Sequence, residues 1–175
     1  MGLGQTLLTI MALMLMGRLI LSINTMTLDV GFTKDMAEYR ITATSLGTSM
    51  LEQSSALAFD ERTVDSVATV TTSLTAASSL GPDAGESTVD DYDDIDDYKN
   101  YVRYDTLTNS AIYKTRVLVS YVTISGSDVV STTTRTFSKE VIVEVTSDYL
   151  VDYSVTPSRA DTLRFKQVFS YWYFR

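Results

Sequence analysis

The chain has 175 residues, with 14 lysines and arginines against 22 aspartates and glutamates, a formal net charge of −8, and neither cysteine nor histidine. A charge of that sign is repelled by nucleic-acid phosphates, so nucleic acid is not an expected partner. The missing thiols and imidazoles exclude disulfides, thiolate nucleophiles, haem attachment and most zinc sites, and with only carboxylates, hydroxyls and lysine left the composition points away from an enzyme.

The first element is MGLGQTLLTIMALMLMGRLILSINT, apolar from Leu7 to Ile23, close to the about 20 residues that cross a bilayer. A cleaved signal peptide carries a basic start and an Ala-x-Ala type site, and neither is present, so the segment is expected to persist as a membrane helix. An arginine near a bilayer centre costs about 2.5–3.5 kcal/mol. Arg18 has two readings: a snorkelling anchor at the membrane edge, or a contact to an acidic or terminal group of a neighbouring subunit in a helix bundle.

After a polar patch from Asn24 to Gly31, helical spacing resumes. Met36, Ala43, Met50 and Leu57 recur every seven residues, with Tyr39 and Leu46 on an adjoining row, which defines an amphipathic helix with one narrow apolar seam. Joined, the two parts predict one helix over about residues 5–58, about 80 Å long at 1.5 Å per residue. Its apolar first half would protrude from any domain covering the second. The expected division is therefore 1–58 as the long helix, with 1–25 the membrane or core segment, and 59–175 as a globular domain.

Residues 63 to 88, rich in Ser, Thr and Ala, read as a loop with a short strand, and Gly81-Pro82 marks a turn. From Asp90 to Asp97 six of eight residues are aspartate. Such a run is either a solvated, self-repelling surface or a hard-cation site built from Asp90, Asp91, Asp93, Asp94, Asp96 and Asp97, calcium being the candidate because it takes six to eight oxygen ligands. The EF-hand pattern is not matched, and no other cofactor is expected.

From Ala111 the period changes to two. Tyr113, Val117, Val119, Tyr121 and Thr123 alternate with Lys114, Arg116, Leu118, Ser120 and Val122, and Ser125-Gly126-Ser127-Asp128 follows as a turn. SKEVIVEV gives a second strand, with Val141, Val143 and Val145 facing one way and Lys139, Glu140 and Glu144 as polar neighbours. YLVDYSV and TLRFKQVFSYWYFR give two more. The fold class is thus α+β, a long N-terminal helix packed by its C-terminal half on an antiparallel sheet of about four strands.

This order of elements, together with TSLGTSMLEQSSALAFDE at the helix end and DDIDDYKNY ahead of the strands, resembles the type IV pilin and pseudopilin superfamily of bacterial proteins. The resemblance implies a subunit held in the inner membrane by its N-terminal helix, extracted by an assembly machinery and packed with its copies into an extracellular filament. It places Leu3, Gln5, Leu7, Leu8, Ile10, Met11, Leu13, Met14, Leu15, Arg18, Leu19 and Ile20 in the polymer core. Two departures stand out. No basic leader precedes Met1, and Gln5 occupies the fifth position, where the family has a glutamate that neutralises a neighbour's terminal amine; Gln5 can hydrogen-bond there but cannot neutralise. Two other functions compete: a minor pseudopilin of a secretion or DNA-uptake machine, and a membrane-anchored module whose aspartates bind calcium. Arg159, Arg164, Lys166 and Arg175 form a basic group that would meet the aspartate run of a neighbouring subunit.

Overall fold

One helix, α1 (Leu3–Ser55), accounts for 53 residues of the computed structural model, which describes residues 2–106, 111–152 and 159–174, the side chains of 173 and 174 excepted. The polar patch does not interrupt it. Thr25 and Thr27 turn their hydroxyls onto the carbonyls of Ser22 and Ile23, both at 2.9 Å, and Thr33 does the same to Asp29. Such back-bonding satisfies a hydroxyl without leaving the helix. At its end the ladder tightens, with Leu57 N–H reaching Ser54 O.

The chain divides into two compact units, Met1–Arg40 and Ile41–Arg175. In the second, α1 buries Ala43, Gly47, Met50 and Ser54, a 4-3-4 spacing that keeps one face inward. Ala43 and Met50 belong to the expected seam, Leu46 is half-buried on its flank, and Leu57 lies just past the helix. Gly47 and Ser54 were not foreseen. Gly47 is there because the sheet comes close: a β-carbon at this position would run into the Phe165 ring. Gly47→Ala is expected to destabilise the fold by about 1–3 kcal/mol, the usual range for overpacking, although alanine is the better helix former. An unchanged urea midpoint in that variant would show that the ring yields freely.

Five antiparallel strands form the sheet: β1 (Val102–Thr106), β2 (Ile112–Ser125), β3 (Asp128–Thr132), β4 (Ser138–Asp152) and β5 (Arg159–Ser170). The order is β1-β2-β4-β5, and β3 pairs with the far end of β2. Gly126, at φ +63°, opens the two-residue loop from β2 to β3, where a glycine enters the left-handed region without penalty. Along β4 the alternation is strict: Lys139, Val141, Val143, Val145 and Ser147 are buried. In register, Tyr121 of β2 lies beside Lys139, and Lys139 beside Phe169 of β5. These three inward side chains sit abreast at one end of the sheet.

Several expectations need correction. The sheet has five strands, because β1 and the short β3 were not anticipated. YLVDYSV is not a separate strand: β4 runs on through Asp152 after a register shift between Thr146 and Val151, and residues 153–155 lie outside the described residues. Residues 64–88 hold a single 3-10 turn, Thr71–Ser73, where a short strand was expected. On β2, Val122 is buried and Thr123 exposed, so the alternation ends at Tyr121. The aromatic tail leaves the sheet at Tyr171, which turns into a 3-10 helix, stacks on Phe137 at 5.5 Å and accepts the Ala68 N–H on its hydroxyl.

Candidate functional site

The first candidate is the surface of α1 in the unit Met1–Arg40. The apolar residues assigned to a polymer core, Leu3, Leu7, Leu8, Ile10, Met11, Leu13, Met14, Leu15, Leu19 and Ile20, are all exposed, from 51% at Ile10 to 83% at Leu3. Gln5 and Arg18 are exposed among them. Apolar exposure continues through Leu21, Ile23, Met26, Leu28 and Val30 to Phe32. By length and composition this helix can cross a membrane.

The second candidate is the aspartate run, and the structure does not treat its six carboxylates alike. Asp90, Asp91 and Asp93 are exposed, whereas Asp94, Asp96 and Asp97 are buried. A uniformly solvated surface therefore fails for half of the run. Asp91 accepts from the Ser87 and Thr88 N–H groups and the Thr88 hydroxyl, and so closes a turn. Asp93 alone of the six joins other carboxylates in a way that would suit a cation, its oxygen lying within 4.8 Å of those of Glu61 and Glu86. Burial, helped by the surrounding acids, pushes Glu61 and Asp93 above the usual carboxylate range.

The three buried aspartates point inward because the backbone folds around their side chains. The chain leaving α1 runs beside the acidic run, Ala58 donating to Asp93 O at 3.0 Å and accepting from the Ile95 N–H at 2.9 Å. Asp94 Oδ1 accepts from the N–H groups of Asp96 (2.6 Å) and Asp97 (3.2 Å), and Asp97 Oδ2 accepts from those of Asp93 (3.1 Å) and Asp94 (3.0 Å). Reciprocal caps of this kind replace water on both partners. Tyr92, Tyr98 and Tyr101 meet edge to face around the same segment, with ring centroids 5.2–6.0 Å apart.

Asp96 instead reaches a cation. Lys139 Nζ, fully buried, donates to Phe59 O at 2.6 Å, to Asp60 Oδ2 at 2.9 Å and to Asp96 Oδ1. The rings of Phe59 and Tyr121 lie 4.7 and 5.3 Å from the ammonium. Asp60 is held by Thr75, whose N–H and hydroxyl both donate to it, by the Arg62 N–H, and by the Tyr121 hydroxyl at 2.9 Å from Oδ2. The same residue caps the 3-10 turn Glu61–Thr63 in a reciprocal box with Thr63. The resulting cluster is sealed: Asp60 and Lys139 are 0% exposed and Asp96 1%.

Protonation divides along these partners. Burial works to raise the Asp60 carboxyl, but the Lys139 charge and the hydrogen bonds from Lys139, Thr75 and Tyr121 together hold it below its ordinary value. Asp96 goes up, its burial outweighing the attraction of Lys139. Asp94 is pushed up to about 9 by burial and by the Asp96 charge beside it, and Asp97 to about 7 by burial and the charge of Glu86. Burial and the Asp60 charge raise the Tyr121 phenol. Asp94 Oδ2 has no partner as a bare carboxylate oxygen. Protonated, it donates to the neighbouring Asp96 carboxyl, and the orphan is resolved.

Sequence reasoning passed over Asp60 and Lys139. For Lys139 a signal existed, since it has the same parity as Val141, Val143 and Val145. Of the basic group, Arg164 pairs with Glu144 at 2.6 Å across β5 and β4, Arg159 and Lys166 are exposed, and Arg175 lies outside the described residues. Compared with protein-family models, curated proteins and solved structures, the chain matches none.

Proposed function

We propose that the chain is a structural subunit of an extracellular type IV pilin-like filament, stored in a membrane by α1 and polymerising with its own copies through the first half of that helix. One observation carries the reading: apolar side chains are exposed on every side of α1 from Leu3 to Phe32. Exposed apolar surface of this extent marks a place that another surface covers. Those 30 residues measure about 45 Å at 1.5 Å per residue, more than the about 30 Å of a bilayer's hydrocarbon core. Lipid covers part of that length; helices of neighbouring copies, packed around it, cover all of it. Each contact between copies repeats head to tail without closing, which is how a helical fibre grows. Within such a bundle Arg18 has neighbouring helix termini and acids within reach, and Gln5 supplies hydrogen bonds.

Negative-stain microscopy of material sheared from cells producing the chain is expected to show thin filaments that an antibody to the sheet unit decorates. Recovery of the chain only from detergent-solubilised membranes, with none in the sheared fraction, would overturn the filament and leave a membrane anchor.

A further inference from the structure

We propose that Lys139 and Asp96 condense to an intramolecular amide, Nζ to Cγ, with Asp60 and Asp94 moving the protons. The structure places an amine, a carboxyl group and two further carboxyls in one sealed volume. Lys139 Nζ touches Asp96 Oδ1 and Asp60 Oδ2, and the Phe59 and Tyr121 rings exclude water from it. Proximity of this kind replaces an encounter between two molecules with a step inside one, and effective molarities for oriented groups reach about 10⁵ M or more. In an apolar volume a pair of charges is poorly solvated, and the neutral amine and acid gain relative to it.

The ammonium passes one proton to the Asp96 carboxylate, giving a neutral amine and a carboxylic acid. The Nζ lone pair attacks Cγ, forming the C–N bond, while the carbonyl electron pair moves onto oxygen. Protonated Asp94, whose otherwise unpartnered Oδ2 stands against the Asp96 carboxyl, donates to that oxygen, the role an oxyanion donor plays in acyl transfer. Asp60, whose carboxylate accepts from Thr75 and the Arg62 N–H, takes the second proton from nitrogen and delivers it to the departing hydroxyl. The C–O bond breaks, one water leaves, the re-forming carbonyl returns its proton to Asp94, and Asp60 and Asp94 end as they began. No oxidant or activated ester is needed. The product ties β4 to the 3-10 turn Asp96–Tyr98 and replaces an ion pair by a neutral amide in the same place.

The test is peptide mass spectrometry of the full chain purified in detergent and digested with trypsin. The expected result is a branched peptide joining residues 63–99 to residues 136–159, uncut at Lys139 and lighter than its two parts by one water. Recovery of residues 63–99 at their unmodified mass together with residues 140–159 released by a cut at Lys139, from chain with native circular dichroism, would overturn the proposal. Lys139→Arg, which keeps the charge but cannot form the bond, is expected to give no branched peptide. After a pulse of synthesis, Asp94→Asn is expected to accumulate the branched peptide about a hundredfold more slowly, the scale of a lost general acid. An unchanged rate in that variant would remove Asp94 from the mechanism.

Discussion

Measured against chain in which Lys139 and Asp96 are not joined, Lys139→Met is expected to destabilise the unit Ile41–Arg175 by about 3–5 kcal/mol, the cost of removing one partner from a buried ion pair. Methionine fills nearly the same volume, so little packing is lost. What remains is Asp60 and Asp96 close together in a volume walled by Phe59 and Tyr121, with their shared cation gone. Asp60 cannot escape by turning outward, because Thr75, Arg62 and Tyr121 hold it and it caps the turn that leads the chain away from α1. Urea unfolding of the full chain in detergent, followed by the fluorescence of Trp172, the single tryptophan, measures the loss. Adding Asp60→Asn and Asp96→Asn to the lysine variant keeps the hydrogen-bond acceptors and removes the charge, and should recover most of the stability. A loss under about 1 kcal/mol in the single variant would mean that water reaches the site and the pair is no stronger than one at the surface.

Much of the fold was legible because its signals are local. A helix announces itself every three or four residues, and the seam from Met36 to Met50 located the face of α1 that turns inward. Valines at 141, 143 and 145 did the same for β4. The misses have physical reasons. β3 is exposed along nearly its whole length and shows no burial alternation, and β1 is five residues long with only two half-buried positions. The aspartate run read as a surface because six acids in eight residues repel one another in an extended chain. Asp94 and Asp97 turn inward onto N–H groups of the run itself, and Asp96 meets a cation 43 residues away that is shared with a second acid 79 residues from Lys139. No spacing rule spans such distances. Parity was the usable clue: a lysine on the inward face of a valine strand requires a buried carboxylate, and the run with Ile95 in its midst was the nearest source. The apolar first half of α1 was legible throughout, since composition alone determines it.

Stability is expected to fall as pH rises from about 5 to about 9, the reverse of what salt-bridged carboxylates produce. The sign follows from which state binds more protons. An aspartate in the unfolded chain titrates near 3.9, whereas Asp94 in the folded chain titrates near 9 and Asp97 near 7. Between those limits the folded state holds protons that the unfolded state has released, so each pH increment favours unfolding. Asp97 stops contributing above about 7 and Asp94 above about 9, where the curve flattens. Asp60 works in the other direction but lower down. Its folded value is depressed, so its contribution is complete above the unfolded value and disappears only as strong acid protonates it. At about 1.4 kcal/mol per unit of pKa difference, Asp94 alone makes the fall a matter of several kcal/mol at most, reduced by whatever water enters. Asp94→Asn separates this residue from the rest. The amide still accepts the N–H groups of Asp96 and Asp97 on its oxygen, and its NH₂ donates to Asp96 as the protonated acid does. The variant should therefore match the parent near pH 5, exceed it near pH 9, and show a shallower slope between. Where Asp96 and Lys139 have condensed, the Asp96 charge that helps raise Asp94 is gone while burial still raises it, so the fall keeps its sign and is smaller. Melting temperatures by circular dichroism across this range decide it: a midpoint that is level or rising from pH 5 to 9, or an Asp94→Asn curve parallel to the parent's, would mean that Asp94 is ionised in the folded chain and that its Oδ2 has found some other cation.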